Sequence, residues 1–429
     1  MKVLISGAGI SGTALAFWLS KLHFDVTVVE RFPALRTNGL QLDLRGHGIE
    51  VLRLMGLDAA FKAKAAPEQG LQFVDSSGRR LAYLAANTSG EGKQNFTSEY
   101  EIMRGELCRL FHDASLVGGG HVKYLFGTSI KALQDDSSNT GNEGITATFS
   151  DDRVEKFDLV VGADGQWSRT RRMMLKSTAS PDPPLHLLPD TYAGYFTTPI
   201  PKQPGEGFDS TIYLASRQRS VMTRRSDPRF LQVYMTCSPD AATSMMGRRG
   251  DTKAEKAAFA ETYKGVGWRV PELVEGMEAS DDFYCERIGL VKLDAWRRGR
   301  VVLVGDAAYC PSVLTGMGTT CGVVGAYVLA GELSRLRDGK DASAHATLDD
   351  ALGAYENSFR PFMDQVQKGV GEETMLSKMM MPSSELGISV LQFCLRVVTF
   401  LGIRLSASSF MKEGVVWDLP QYKALTSKD

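Results

Sequence analysis

Met1-Lys-Val-Leu-Ile-Ser-Gly7-Ala-Gly9-Ile-Ser-Gly12-Thr-Ala-Leu-Ala16 is the stretch that decides the fold. A short apolar run, Val3 to Ile5, leads into three glycines at G-x-G-x-x-G spacing, and an apolar helical pattern follows. This reads as strand, tight turn, helix. Gly7 allows the turn, Gly9 lets the backbone approach a pyrophosphate, and Gly12 lets the helix pack closely on the strand, while free N–H groups at the helix start face the phosphates. The next strand, Asp25-Val-Thr-Val-Val-Glu30, ends in an acid placed to accept ribose hydroxyls, with Arg31 beside it. The alternative is a glycine turn that binds nothing, but the flanking strand, helix and terminal Glu30 argue against it.

A second signature, Arg300-Val-Val-Leu-Val-Gly305-Asp306-Ala-Ala, lies far along the chain. Together the two imply one large dinucleotide held by both halves. With 429 residues, 43% of them hydrophobic and 23% charged, the chain has ample core for more than one domain. The net charge of −1 excludes a global attraction to nucleic acid. Basic clusters at Arg169-Thr-Arg171-Arg172, Arg217 to Arg229 and Arg297-Arg298-Gly-Arg300 read as solvated surface. Six cysteines show no metal or C-x-x-C spacing and read as reduced, and the first strand begins at residue 2 with no signal peptide before it, so the expectation is a cytoplasmic protein. The apolar stretch Leu386 to Leu405 carries Gln392 and Arg396, each expensive in a bilayer. It reads as a helix packed across the protein's own domains, with a membrane segment as the alternative and peripheral membrane contact also open.

The rest of the chain is expected as follows. A helix covers 47 to 66, a β-hairpin spans Leu71 to Leu84 around Ser-Ser-Gly, and a helix resumes at Arg104. Short strands lie near Val122 to Leu125 and Gly144 to Phe149, with a polar loop from Asp135 to Asn142. Asp158-Leu-Val-Val-Gly-Ala-Asp164-Gly returns to a buried parallel strand. Residues 173 to 283 alternate, as in Ser210-Thr-Ile-Tyr-Leu and Phe230-Leu-Gln-Val-Tyr-Met, and suggest a mostly antiparallel sheet facing a substrate. The fold class is α/β: a Rossmann-like dinucleotide-binding domain from 1–70, 104–172 and 284–370, a mostly antiparallel substrate-binding domain from 71–103 and 173–283, and a helical segment over 371–429.

Three motifs in order, GAGISG at 7 to 12, Val160-Val-Gly-Ala-Asp164-Gly-Gln-Trp-Ser168 and Gly305-Asp306-Ala-Ala-Tyr-Cys-Pro311, resemble the single-component FAD-dependent aromatic hydroxylases typified by para-hydroxybenzoate hydroxylase. The closest flavour is that of tetracycline-inactivating and secondary-metabolite flavin monooxygenases. The resemblance covers residues 1 to about 370. It implies that Asp306 holds ribityl or ribose hydroxyls of FAD, the alternative being a helix N-cap. It implies that Pro311, Gly316, Gly318 and Thr319 border the flavin ring, where an N–H near N1 and O2 stabilises reduced flavin. Tyr309 stands where many relatives carry His, and Ser312 where a second proline is frequent. By the same resemblance Asp43, in Leu40-Gln-Leu-Asp43-Leu-Arg45-Gly46, contacts FAD together with Arg45, Arg36 serves the nicotinamide cofactor and Arg104 a pyrophosphate oxygen. Asp164 is linked to flavin and nicotinamide use, or caps the turn at Gly165-Gln166.

For the substrate, the resemblance points to Arg219, or to Arg217 if the alignment slips by two. Tyr195, Tyr213 and Met222 line the same sheet face if alternation holds, and ordinary sheet packing is the alternative for each. The implied chemistry is reduction of FAD by NADPH or NADH, addition of O2 to give a flavin C4a-hydroperoxide, and hydroxylation of an aromatic or polycyclic small molecule, tetracycline-like or a secondary metabolite. Epoxidation and ring insertion remain open within the same chemistry. Other readings are a flavin oxidase or reductase without oxygen transfer, and a non-catalytic FAD-binding redox module. No metal site, nucleic-acid partner or nucleophile motif is read, and no side chain is assigned as certainly catalytic.

Overall fold

Val3, Leu4 and Ile5 are fully buried in a strand, Lys2–Ser6, that pairs in parallel with Asp25–Glu30 on one side and Leu159–Gly162 on the other. This computed structural model describes residues 1–36, 39–86, 99–117, 121–135, 144–179, 184–237, 250–336, 347–372, 382–400 and 415–426. The sheet runs Arg297–Arg298, Val301–Leu303, Leu159–Gly162, Lys2–Ser6, Asp25–Glu30, His121–Phe126, and only the Arg297–Arg298 edge is antiparallel. Uninterrupted apolar runs in its central strands fit burial on both faces. The helix Ile10–Lys21 packs against both Arg104–Val117 and Gly318–Ser334. Enclosed on all sides, it shows no polar stripe from Gly12 to Ser20.

A second sheet of seven strands runs Tyr284–Val291, Leu185–Thr198, Leu231–Cys237, Arg219–Arg224, Asp209–Ala215, Gly70–Val74, Arg80–Ala85. All its pairs are antiparallel except Asp209–Ala215 with Gly70–Val74. The expected hairpin is thus present, and it extends the large sheet. Two helices that the alternation did not announce, Thr252–Thr262 and Val270–Ala279, bury Phe259, Leu273 and Met277 against Phe196, Val221, Val233 and Met235. The first is capped by Asp251, whose carboxylate accepts from the Ala254 N–H at 3.0 Å. A two-stranded ribbon, Gln41–Asp43 with Glu101–Met103, touches the opposite face: the Tyr234 hydroxyl donates to the Gln41 carbonyl at 3.1 Å.

Other expectations need correction. The helix expected over 47 to 66 is two, His47–Leu54 and Asp58–Lys62, broken where Gly56 takes φ +74°. Nor are the basic clusters uniformly solvated. Arg171 is fully buried, donating to the carbonyls of Ala307 at 2.9 Å and Gln166 at 2.7 Å, and Arg225 is buried against the carbonyls of Ile200 and Phe230 and the Glu206 carboxylate. The polar loop expected over 135 to 142 lies outside the described residues apart from Asp135.

The helix Leu348–Gln367, opened by a Thr347/Asp350 capping box, lays Tyr355 and Phe359 against Trp296 and Tyr309. Residues 415–426 return to the first core, where Tyr422 and Leu425 are buried. The apolar stretch after Leu386 forms part of a helix, Glu385–Phe400, that lies over the edge strand Arg80–Ala85, burying Ile388 and Leu391 and leaving Leu386, Val390 and Phe393 exposed. No helix among the described residues is long and apolar enough to cross a membrane.

Candidate functional site

The strands Lys2–Ser6, Asp25–Glu30 and Leu159–Gly162 end together, and a cleft of about 200 Å³ opens beyond their carboxyl ends, where ligands of open parallel sheets bind. Its walls bring together Gly7, Gly9, Glu30, Arg31, Arg36, Arg104 and Asp164, seven of the residues singled out in the sequence. Gly7 takes φ +107°, and a Cβ there would lie 2.6 Å from the Ala163 carbonyl oxygen. No other residue type fits this turn. A Cβ on Gly9 would meet only the Arg104 guanidinium, at 3.7 Å, so this glycine keeps the cleft open and does not relieve the fold. Gly12 lies behind the cleft, where any side chain would strike the Gly7 carbonyl.

Glu30 holds the turn as well as facing the cleft. Its carboxylate accepts from the Ala8 N–H at 3.0 Å and the Phe32 N–H at 3.1 Å. Asp164 is more heavily committed, accepting from Ser168 Oγ at 2.5 Å, the Arg169 N–H at 2.8 Å, and the N–H and Oγ1 of Thr170 at 3.0 Å each. These bonds reach past the turn Gly165-Gln166 to the start of the helix Arg169–Leu175, whose N-cap is Ser168, while Asp164 still lines the cleft. Arg104 reaches over the glycine turn, its stem against Gly39 and its Nη1 donating to the Arg36 carbonyl at 3.5 Å. The Arg36 guanidinium lies over the rings of Phe32 at 5.4 Å and Tyr284 at 5.3 Å. Burial, and then the neighbouring Arg104 charge, lower its pKa.

The second signature joins the first through Ser11. Gly305 (φ +67°) and Gly322 leave a notch for its side chain, which any Cβ at either position would strike. Asp306 follows, accessible to solvent yet enclosed by protein, and that enclosure pushes its pKa up to about 6, with Glu286 adding to the rise and Cys310 and Arg104 opposing it. The short helix it opens, Asp306–Tyr309, is capped by Gly305 without a side-chain bond, so Asp306 is not the cap. Pro311 is buried, Gly316 takes φ +64°, a side chain at Gly318 would meet nothing within 4 Å, and Thr319 is half-buried. Asp43 and Arg45 form an ion pair in which Arg45 is fully buried, and the Arg45 N–H donates to Thr320 Oγ1 at 2.9 Å, tying that strand to the helix Gly318–Ser334.

On the large sheet the expected grouping divides. Ile212, Met222, Tyr234, Tyr195 and Tyr284 pair directly across adjacent strands and therefore share a face. Tyr195 stacks on Tyr284 at 4.9 Å and meets Tyr234 edge-on at 5.7 Å. Tyr213 pairs with Val221, which pairs in turn with Met235, on the other face, and it is buried beside Trp268 under the two helices. Arg219 shares that helical side, donating from Nη1 to the Thr262 carbonyl at 2.8 Å, and Arg217 occupies the turn. Sequence reasoning also passed over Trp167, which lines the cleft and donates to Glu286 at 3.2 Å, and Tyr284, which carries Arg36. Trp167 lay within a quoted motif; Tyr284 carried no local signal.

The residues fit FAD. Four arginines, Arg31, Arg36, Arg104 and Arg169, line a cleft whose two acids are already bonded to backbone amides, a balance that suits a pyrophosphate. The model of the FAD binding domain matches residues 1–368. The chain belongs to the FAD-binding-domain family. It is an FAD-dependent monooxygenase of the class A flavin type, and so acts with O2 on a small molecule. It is 47% identical over 435 residues to the FAD-dependent monooxygenase asL4 of Sarocladium schorii, covering 99% of each chain. It is 38% identical to the flavin-dependent monooxygenase eupH of a Phoma species, covering 91% of this chain and 90% of that one. The crystal structure of tetracycline destructase Tet(51) superposes with a TM-score of 0.75 at 26% identity, over 98% of this chain and 99% of that one. The α/β flavoprotein fold expected from the motifs is the fold observed.

Proposed function

We propose that this monooxygenase draws hydride from NADPH or NADH and hydroxylates an aromatic or polycyclic small molecule, tetracycline-like or another secondary metabolite, in the cytoplasm. The observation that carries the reading is the arginine-lined cleft over an open Gly9. Likeness to a tetracycline destructase supports a polycyclic substrate, and the unpaired cysteines support a reducing compartment. Bound FAD supplies the hydride acceptor and the activation of O2.

The chain's own residues bind and shield. Gly7 to Gly12 and Arg104 take the pyrophosphate, Glu30 the ribose hydroxyls, Asp306 the ribityl hydroxyls, and the backbone from Pro311 to Thr319 the flavin ring. Arg36, cushioned on Tyr284, receives the nicotinamide cofactor. Asp43 and Arg45 support the ring's surroundings through Thr320. The face bearing Tyr195, Tyr234 and Tyr284 covers the substrate, with Tyr213 and Arg219 behind it. In this reading the discontinuous segments 1–70, 104–172 and 284–370 form the cofactor domain, and 71–103 with 173–283 the substrate domain.

The test is the visible spectrum of the purified protein, followed by NADPH and NADH oxidation and oxygen incorporation across a panel of phenols and polycyclic ketones. The expected result is a flavin spectrum and one compound that accelerates oxidation and gains an oxygen atom. A protein that stays colourless with excess FAD overturns the reading. Reductant consumption with no oxygen in any product overturns its hydroxylase part.

A further inference from the structure

Away from the cofactor cleft, a cavity of about 230 Å³ lies between the end of the helix Leu348–Gln367 and the segment that follows the strand Tyr284–Val291. Its inner wall is apolar: Val291, Trp296, Tyr309 and Met363 are each at most 2% exposed. Pockets for drug-sized molecules run from about 300 Å³ upward, so this one has room for a single ring and not for a polycycle.

The polar groups around it are of both signs. Gln367, 6% exposed, donates its amide nitrogen to the carbonyls of Val291 at 2.8 Å, Cys310 at 3.1 Å and Tyr309 at 3.2 Å. Three acceptors around one atom fix it as the nitrogen, so the oxygen turns the other way, and no described residue donates to it. Asp364 and Lys368 stand one turn apart at the same helix end, where the last carbonyls add partial negative charge, and Lys292 comes from the other wall. All three are exposed, and none forms an ion pair with a described residue. Arg360 also lines the cavity, but its guanidinium is taken up by Glu356 and the carbonyls of Leu293 and Asp294.

A ligand that satisfies these groups together carries both charges. An ammonium suits Asp364, the Gln367 oxygen and the helix end, a carboxylate suits Lys292 and Lys368, and an apolar side chain suits the inner wall. A plain anion would be set against Asp364 and the helix end, and a plain cation against the two lysines. We propose that this cavity is a binding site for a free α-amino acid with an apolar or single-ring side chain, separate from the site of oxygenation.

Its occupancy bears on the cofactor segment. The Gln367 nitrogen holds the carbonyls of Tyr309 and Cys310, which lead directly to Pro311, and an ammonium bonded to the oxygen of the same amide polarises those bonds. That Pro311 borders the flavin rests on the function proposed above; the cavity does not.

The experiment is titration calorimetry of the full-length protein saturated with FAD, at pH 7, with three probes: L-phenylalanine, 3-phenylpropanoate, which lacks the ammonium, and 2-phenylethylamine, which lacks the carboxylate. L-phenylalanine is expected to bind, with each analogue weaker by about 5- to 30-fold. Lys292→Met should weaken L-phenylalanine and 3-phenylpropanoate about 2- to 5-fold and spare the amine, and Asp364→Asn should weaken L-phenylalanine and the amine by as much and spare 3-phenylpropanoate. Both side chains are exposed, and matching melting temperatures verify that the variants fold. The absence of saturable heat with L-phenylalanine overturns the proposal, as does equal binding of all three probes. Unchanged affinities in both variants overturn it too, because the heat then arises elsewhere, the substrate site included. The visible spectrum of bound flavin should shift as the site fills, and a fixed spectrum overturns the link to Pro311. Calorimetry itself reads no flavin, so a colourless protein would sink the functional reading and leave this site standing.

Discussion

Replacing Gly7 and Gly9 by alanine, one at a time, separates folding from cofactor binding within a single turn. At Gly7 the new methyl group meets the Ala163 carbonyl at 2.6 Å, and φ is +107°. Ala163 cannot retreat easily, because its N–H bonds to the Ser6 carbonyl at 2.8 Å and it continues a strand paired in register with the first. An unfavourable backbone region costs about 1–3 kcal/mol and overpacking about 1–3 more, so Gly7→Ala is expected to lose roughly 2–6 kcal/mol of stability. At Gly9 the methyl group has only the Arg104 guanidinium within 4 Å, at 3.7 Å, and φ is −79°, which alanine adopts freely. The flavin-free protein should therefore change by less than about 0.5 kcal/mol, the usual range for such sites. The same methyl group projects where the pyrophosphate is proposed to lie, and losing one charge-assisted bond of about 1.5–3 kcal/mol weakens FAD binding about 10- to 100-fold. Thermal melts of flavin-free protein and fluorescence titration with FAD read the two effects separately. If Gly9→Ala binds FAD as tightly as the wild type, the pyrophosphate does not lie over this turn and the site must be redrawn.

Arg171→Met leaves the carbonyls of Ala307 and Gln166 without this donor, and at about 1–3 kcal/mol each it should destabilise the protein by roughly 2–6 kcal/mol in a denaturant titration. A loss below about 0.5 kcal/mol would show that Arg171 behaves as an ordinary surface residue. Asp306 has a folded pKa of about 6 against 3.8 when unfolded, so its stabilising contribution to the flavin-free protein is complete below about 3.8 and lost as pH rises to about 6. Asp306→Asn should flatten that part of the melting curve; an unchanged pH dependence would refute the assignment. Tyr195→Ala removes aromatic contacts worth about 0.5–1.5 kcal/mol each and should raise the KM of the accelerating substrate, whereas Tyr213→Phe, on the helical side, should leave KM alone. The reverse pattern in steady-state kinetics would put the substrate on the other face.

The parts of this fold legible in the sequence are those fixed by neighbours along the chain. The turn at Gly7 to Gly12 needs glycines because its own backbone and the adjoining strand leave no room, and the strand and helix patterns on either side are local. The sheet faces were another matter. Alternation within Asp209–Ala215 or Arg219–Arg224 is plain, but matching one strand's faces to the next requires the register, and one residue of slip exchanges them. Here the register is set by a three-residue connection, Ser216-Arg217-Gln218, whose last two residues take φ of +59° and +51°. Asparagine and glycine usually announce such a turn, and neither is present. Ala215 therefore pairs with Arg219, and Tyr213 falls on the face opposite Tyr195.

The arginines illustrate the same physics at longer range. Arg171, Arg224 and Arg225 sit in runs that look solvated, yet each is buried because its partners arrive from elsewhere: Ala307 for Arg171, Glu68 and Glu101 for Arg224, Ile200 and Glu206 for Arg225. A guanidinium carries its charge at every relevant pH, so burying it demands acceptors already in place. Neither composition nor local spacing records those acceptors. The cleft follows the same rule. Its glycines declared themselves, whereas the cushion beneath Arg36 depends on Tyr284, a residue nearly 250 positions away that the pairing of Tyr284–Val291 with Leu185–Thr198 helps to place.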